Sequence, residues 1–379
     1  MQLTTQSRHP VSRVGRWAQQ MLFNRSFAEY ISPLVSMVDP LASVGGIKAL
    51  VESLNKDGAG ATTIRLRPGR QWQGFVPGQY LPFTFSVDGV RLTRYYSISS
   101  SLALFRQFGF IEVTIKRVAG GSVSSWVDST LEAGQIVSIG QADGELVLPA
   151  QLLGAGNSAK NKALYLAAGS GVTPFLSMLK TYGTQELHQQ LIYSASSQGE
   201  HIQQQILEMA ATANMSLNFH DSSQSDRLAK ETLLTLCPDI IERQVLICGS
   251  VEFANAMVAA LAALGVPAAN VQQETFYSAA KPNASEVGGE LVLQGVKAGM
   301  PIEVTIESNG TSILEQAEAQ GFSPASGCRM GICHECTCKK TQGVVRNLLT
   351  GKLSSADEES IQSCISIPVG QVSVELASS

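Results

Sequence analysis

The chain has 379 residues, 44% of them hydrophobic and 15% charged, a composition that fits two or three cored globular domains and excludes a disordered or polyelectrolyte chain. A formal net charge of −4 argues against a general nucleic-acid binder, whose surface would be basic. The N-terminal stretch lacks the apolar core of a secretory signal, and the longest apolar run, Met257 to Ala269, is too short for a bilayer and contains Gly265 and Pro267, so the sequence predicts a soluble, cytoplasmic protein.

Residues 1–50 read as a helical arm, because Val14, Trp17 and Met21, and then Phe23, Phe27 and Tyr30, recur at helical spacing. Asn55 to Ala61, "NKDGAGA", marks a turn. Over residues 51–152 short alternating runs broken by Gly and Pro ("TTIRLRP", "QYLPFTFSV", "RLTRYYSI", "FGFIEVTIKRV", "QIVSIG", "GELVLP") predict an antiparallel β-barrel. Between residues 160 and 279 the rhythm changes. "ALYLAAG", "QLIYSAS" and "RQVLICGS" are buried strands that each lead into a helical segment, which predicts a parallel-sheet α/β domain. Residues 280–289, within a stretch rich in Pro, Ser, Gly and charge, form a linker, and residues 290–379 a compact final module. The fold class is therefore multidomain α+β.

Five of the seven cysteines fall between Cys328 and Cys364, and in a reducing compartment such clustering points to a metal site over a disulfide framework. The "CHEC" pair, Cys333 and Cys336, lacks the second knuckle of similar spacing that a structural zinc site uses. Cys328, Cys333 and Cys336 instead spell C-x4-C-x2-C, with Cys364 available downstream, which is the plant-type 2Fe–2S spacing. His334 stands alone where a Rieske centre needs two histidines, and it reads as an exposed loop residue; Cys338 reads as a small buried strand residue. Gly327 and Gly331 suit the unusual backbone angles of a cluster loop. Taken whole, "SILEQAEAQGFSPASGCRMGICHECTC" followed by "SADEESIQSCISIPVGQVSVEL" resembles a plant-type ferredoxin, which implies a β-grasp 2Fe–2S domain over residues 290–379.

A 2Fe–2S centre takes one electron at a time whereas a nicotinamide delivers a hydride, so a flavin is needed between them. In the barrel, Arg94 of "RYYSISS" can neutralise a pyrophosphate, Tyr96 can pack on a ring system and Ser97 can hydrogen-bond near the reactive flavin nitrogen. Alone, that stretch is merely a good strand. Followed by "GGSVSS", whose glycines permit close backbone approach at a helix start, it resembles the ferredoxin–NADP reductase superfamily, over roughly residues 55–277. The resemblance places FAD on Arg94, Tyr96, Ser97, Gly121, Ser122, Val123 and Ser124. It places NADH or NADPH on Gly169, Gly171, Thr173 and Pro174 of "AAGSGVTP", with Cys248, Gly249 and Phe276 by the nicotinamide and flavin edge. By the same resemblance, Ser97, Cys248 and Glu274 stand where hydride passes. Taken alone, Cys248 is a buried strand-end residue. No arginine or lysine occurs in "SASSQGEH", which tilts the nucleotide choice slightly towards NADH, with Arg227 and Lys230 able to supply charge from elsewhere.

The domain order resembles reductase components of bacterial oxygenases. The arm resembles the leader on ferredoxin reductases that serve membrane-bound fatty-acyl desaturases. The expected function is an NAD(P)H-dependent FAD and 2Fe–2S oxidoreductase passing electrons to a di-iron acyl desaturase, with peripheral attachment to the inner membrane face through the arm. The alternatives are an aromatic-ring or other oxygenase or a hybrid-cluster protein as acceptor, and, in a different class, a non-enzymatic redox sensor. The arm packed on the protein's own barrel stands beside the docking reading.

Overall fold

The computed structural model describes residues 39–43, 46–56, 60–87, 90–118, 121–153, 161–183, 187–195, 206–210, 215–222, 228–276, 288–297, 299–327, 331, 334–348 and 351–376. The expected helical arm up to residue 38, most of the linker, Cys328 and Cys333 lie outside these residues.

Six antiparallel strands form the first sheet: β1 (Ile47–Lys56), β2 (Ala61–Pro68), β3 (Tyr80–Val87), β4 (Val90–Ser97), β5 (Ile111–Lys116) and β6 (Ile136–Ile139), in the order β4-β3-β6-β1-β2-β5. Its edge strands are drawn together by a bridge from Ile98 to Val113 and by Ser99 N donating to Glu112 O at 2.7 Å, which brings the sheet close to a closed barrel. Leu81, Phe83, Val113 and Ile64 fill the interior. Helix α1 (Leu102–Phe108) is capped by the Ser101 hydroxyl, and α2 (Ser122–Ser129) packs Val123 and Val127 into the same core. One expectation is corrected here. Residues 47–50, assigned to the helical arm, are the start of β1, with Ile47 and Leu50 opposite Ile139 and Ile136.

The second sheet is parallel: β7 (Lys162–Ala168), β8 (His188–Ala195), β9 (Met215–Asp221), β10 (Gln244–Gly249) and β11 (Val271–Thr275), ordered β11-β10-β7-β8-β9. Both faces are covered, which explains why β7 and β10 read as nearly unbroken apolar runs. Helix α3 (Thr173–Tyr182) follows β7, α4 (Lys230–Leu236) precedes β10 and α5 (Val251–Ala263) follows it. The strand order reverses between β7 and β10, and the crevice at their C-terminal ends is the place where open α/β sheets take ligands. Leu146 and Leu148, which leave the barrel, pack into the core of this domain with Met178 and Tyr165.

The third sheet, β12 (Glu290–Lys297), β13 (Met300–Glu307), β14 (Thr337–Asn347), β15 (Glu359–Gln362) and β16 (Ser366–Glu375), has the order β13-β12-β16-β14-β15. β12 pairs parallel with β16 and the other pairs are antiparallel. Helix α6 (Ile313–Ala319) begins with a capping box between Ser312 and Glu315 and lays Ile313 and Ala317 on the sheet. The three architectures expected from the sequence are all present.

Candidate functional site

Strand β4 aligns Arg94 with Phe83 and Tyr96 with Leu81, so both side chains share the face that carries the barrel core. Tyr96 meets Phe83 and Phe85 edge-on, with centroids 6.4 and 6.3 Å away, and burial pushes its phenol up from the ordinary value. Arg94 Nη1 donates to Thr93 O at 2.9 Å. Ser97, paired with Tyr80, is buried, and its Oγ has no hydrogen-bond partner among the described residues. A buried hydroxyl in that state calls for a polar group that binds there.

The glycine loop before α2 is drawn tight by Ser124, whose Oγ accepts from Val118 N at 3.1 Å and donates to Gly121 O at 3.4 Å. A Cβ on Gly121 would lie 2.7 Å from that hydroxyl and 3.1 Å from Val118 O, so a side chain there would push Ser124 out of its bonds. Val123 turns its side chain into the core; what residues 122–124 offer a phosphate is the first-turn N–H groups of α2, including that of Ser122.

In the crevice, Gly169–Val172 make a tight 3-10 turn into α3, with Gly169 at φ 54° and Pro174 in the helix's first turn. Gly171 touches the end of β10 so closely that a Cβ would lie 2.2 Å from Cys248 O. Thr173 Oγ1 donates to Ser170 O at 2.9 Å, which ties the turn together. Gly249 is backed by Phe253, and Phe276 N donates to Gly249 O at 2.8 Å.

The barrel and crevice meet at Glu274. Tyr80 and Asp143 exchange two backbone hydrogen bonds of 2.9 Å, which hold Gly144 against the Tyr80 ring; a Cβ on Gly144 would lie 3.6 Å from Glu274 Oε2. Glu274 Oε1 is buried without a hydrogen-bond partner among the described residues, and desolvation pushes the carboxyl up to about 7. Cys248, opposite Glu274 in the β10–β11 ladder, is fully enclosed, and burial, followed by the Glu274 charge, raises its thiol well above 9. At neutral pH it stays a neutral thiol.

This carboxyl makes stability depend on pH. An unfolded glutamate ionises near 4.5, while the folded one holds its proton to about 7, so the stability present below 4.5 is lost as pH rises towards 7. Glu274→Gln removes that slope. Urea midpoints of the apoprotein are expected to favour the variant at pH 8 by up to ~3 kcal/mol and to converge at pH 5. Parallel pH profiles for the two proteins would contradict the assignment.

In the third domain, Cys336 and Cys364 are buried with their Sγ atoms 3.0 Å apart, beside Leu314 and Ile365. The shared hydrogen bond lowers the Cys336 thiol to about 6. Gly331 sits at φ 76° and its carbonyl accepts from Gln362 Nε2 at 2.9 Å, which ties the loop to the strand before Cys364. His334, exposed at φ 59°, uses its carbonyl to accept from Thr337 N at 3.1 Å. Cys338 packs in the sheet core, where burial raises its thiol to about 12.

The sequence reading missed Lys340. It is wholly buried and donates to Ser355 O at 3.2 Å and to Asp357 O, with Glu359 3.5 Å away. It thereby fastens the segment that returns to Cys364. "KK" in a strand gives no hint of this, because its partners are main-chain carbonyls far along the chain.

The tight glycine loop at α2, the orphaned hydroxyl of Ser97, the crevice at the strand-order reversal and the paired thiols fit FAD, a nicotinamide nucleotide and an iron–sulfur cluster in turn. Comparison with known proteins agrees. Residues 52–147 match the oxidoreductase FAD-binding domain family, 157–272 the C-terminal domain of adenylate-forming reductase 03009, and 296–369 the 2Fe–2S iron–sulfur cluster binding domain. The chain is 27% identical over 332 residues to the glycine betaine monooxygenase reductase subunit of Pseudomonas aeruginosa, covering 79% of this chain and 87% of that one. It is 26% identical over 345 residues to an NADPH oxidoreductase of Mycobacterium tuberculosis, covering 90% and 87%. Phthalate dioxygenase reductase, a modular structure for electron transfer from pyridine nucleotides to [2Fe–2S], superposes with a TM-score of 0.64 at 20% identity, over 88% of this chain and 98% of that one. The chain is an FAD and 2Fe–2S oxidoreductase with flavin, nicotinamide and ferredoxin domains in that order, on the fold of phthalate dioxygenase reductase.

Proposed function

We propose that this oxidoreductase is the reductase component of an oxygenase system, drawing electrons from NADH or NADPH and delivering them through its ferredoxin domain to a separate iron oxygenase. The observation that carries the reading is the convergence of Ser97's strand, Gly144, Cys248 and Glu274 at the crevice mouth. The names of the oxygenase-reductase relatives support the acceptor class. Bound FAD would accept a hydride and release its electrons singly to the 2Fe–2S cluster.

The chain's own residues bind, orient and exclude water. Arg94 and the α2 N-terminus hold phosphate charge, while Tyr96 packs on the ring system. Ser97 Oγ supplies a hydroxyl from the buried strand end. Gly169, Gly171, Thr173 and Pro174 shape the nucleotide turn, and Gly249 and Phe276 close its far side. Glu274 holds a proton on Oε beside Cys248 up to about pH 7, so the site presents an acid and a neutral thiol where hydride passes. Cys328, Cys333, Cys336 and Cys364 would be the four cluster thiolates.

The test is spectroscopic. The purified holoprotein should show flavin and 2Fe–2S bands that either nucleotide bleaches anaerobically, and bleached protein should drive turnover of an oxygenase from the same genome. Bands that neither nucleotide touches would return the non-enzymatic redox sensor to first place.

A second acceptor, a membrane di-iron acyl desaturase, is favoured by the aromatic arm of Trp17, Phe23 and Phe27, which lies outside the described residues. Among those described, no helix is long and apolar enough to cross a membrane. If removing residues 1–38 leaves both cytochrome c reduction and desaturase coupling unchanged, the arm has no acceptor-docking role.

A further inference from the structure

One flank of α3 carries Ser177, Lys180 and Thr181, spaced so that all three face the barrel. Ser177 Oγ donates to Ser100 O at 2.7 Å, Lys180 Nζ donates to Ser99 O at 2.9 Å, and Thr181 Oγ1 accepts from Leu102 N at 3.0 Å. These three bonds take up main-chain groups of Ser99, Ser100 and Leu102, just after Ser97 and leading into α1. The barrel side is equally fixed. Ser99 Oγ lies 3.0 Å from Thr114 Oγ1, and Glu112 N donates to Ser100 Oγ at 3.0 Å. The Glu112 carboxylate stands between Arg65, at 2.7 Å, and Lys180, at 3.7 Å, so a charge triad crosses from barrel to α/β domain.

The placement matters because each end of the joint is an end of the proposed hydride path. Ser99 follows the orphaned Ser97 hydroxyl by two residues. Ser177 follows Thr173 by four, about 6 Å of helix. Nothing flexible intervenes: Ser99, Ser100 and Ser177 are buried, and α3 is a continuous helix. We propose that Lys180, with Ser177 and Thr181, is a positioning clamp that sets how closely the nucleotide turn of α3 approaches the flavin strand. Lys180 acts through Ser99 and Glu112. The inference rests on the proposed nicotinamide-to-flavin direction, in which the hydride lost by the reduced nucleotide carries two electrons to FAD and the second proton comes from water.

A misplacement of about 1 Å can cost on the order of 100-fold in a transfer of this kind. Lys180→Met in the full-length holoprotein is expected to slow anaerobic flavin bleaching by roughly 10- to 100-fold. It should also weaken the long-wavelength charge-transfer band of the nucleotide complex and raise the isotope effect with deuterated nucleotide, at unchanged flavin and cluster content. Lys180→Arg should restore most of the rate, since it keeps the cation and a donor. Thr181→Val should give a smaller loss of the same kind, and it decides the matter if Lys180→Met fails to fold. Bleaching within twofold of wild type with an unaltered charge-transfer band in the folded variants overturns the clamp. A wild-type protein that neither nucleotide bleaches overturns the direction of electron flow instead; calorimetry then still reads the joint, which predicts separate melting of the two domains only in the variants.

Discussion

Cys364→Ser is expected to erase the 2Fe–2S absorption and to cut reduction of the proposed oxygenase acceptor by more than the roughly 10- to 100-fold that losing an outer-shell partner usually costs. Cys364 sits on a 3-10 turn, Ser363–Ile365, between two strands, and Ser363 N donates to Cys336 O at 3.0 Å, so backbone as well as thiol is registered against the loop. Serine keeps the size and removes the soft thiolate that iron–sulfur clusters require. Bleaching of the flavin by NADH or NADPH should persist within about twofold, because the crevice is built in other domains. Retention of the cluster bands in a folded Cys364→Ser protein would remove Cys364 from the ligand set.

Gly171→Ala should have the opposite profile. Its Cβ would be driven to 2.2 Å from Cys248 O and 2.5 Å from Cys248 C, both main-chain atoms of a buried central strand. Neither can yield as a side chain does, so the turn has to shift. Overpacking of this kind costs about 1–3 kcal/mol, and the displaced turn should slow flavin reduction by on the order of 100-fold. The cluster, flavin content and dithionite-driven electron delivery should be unaffected. Stopped-flow reduction of the variant at wild-type rate would mean that the nucleotide does not use this turn.

What the sequence revealed was what is local. Strand–turn–helix segments and the change from alternating to buried strands sit within windows of a dozen residues, and the fold class drawn from them stands. β1 shows where that fails. Ile47, Ala49 and Val51 alternate as a strand requires, yet Leu50 and Leu54 offer a helical spacing, and a short run satisfies both. Only pairing with β2 and β6 decides the matter. The same limit hid Lys180 and Lys340. Each is a lysine whose partners are carbonyls in a distant segment, and a carbonyl leaves no mark on the residue letter. Ser124 was visible as a loop hydroxyl, but its role as the tie that closes the loop needed the positions of Val118 and Gly121.

The order of the ferredoxin sheet bears on how the protein is made. β16, the last of its five strands in chain order, stands in the middle, between β12 and β14. A ribosome therefore delivers the β12–β13 hairpin and the β14–β15 pair as two halves with no seam between them, and the parallel ladder of Leu291 and Leu293 waits for Val372 and Val374. Cys364 arrives immediately ahead of that closing strand. In chain order the flavin barrel is thus complete before either the central strand of the ferredoxin sheet or Cys364 has appeared.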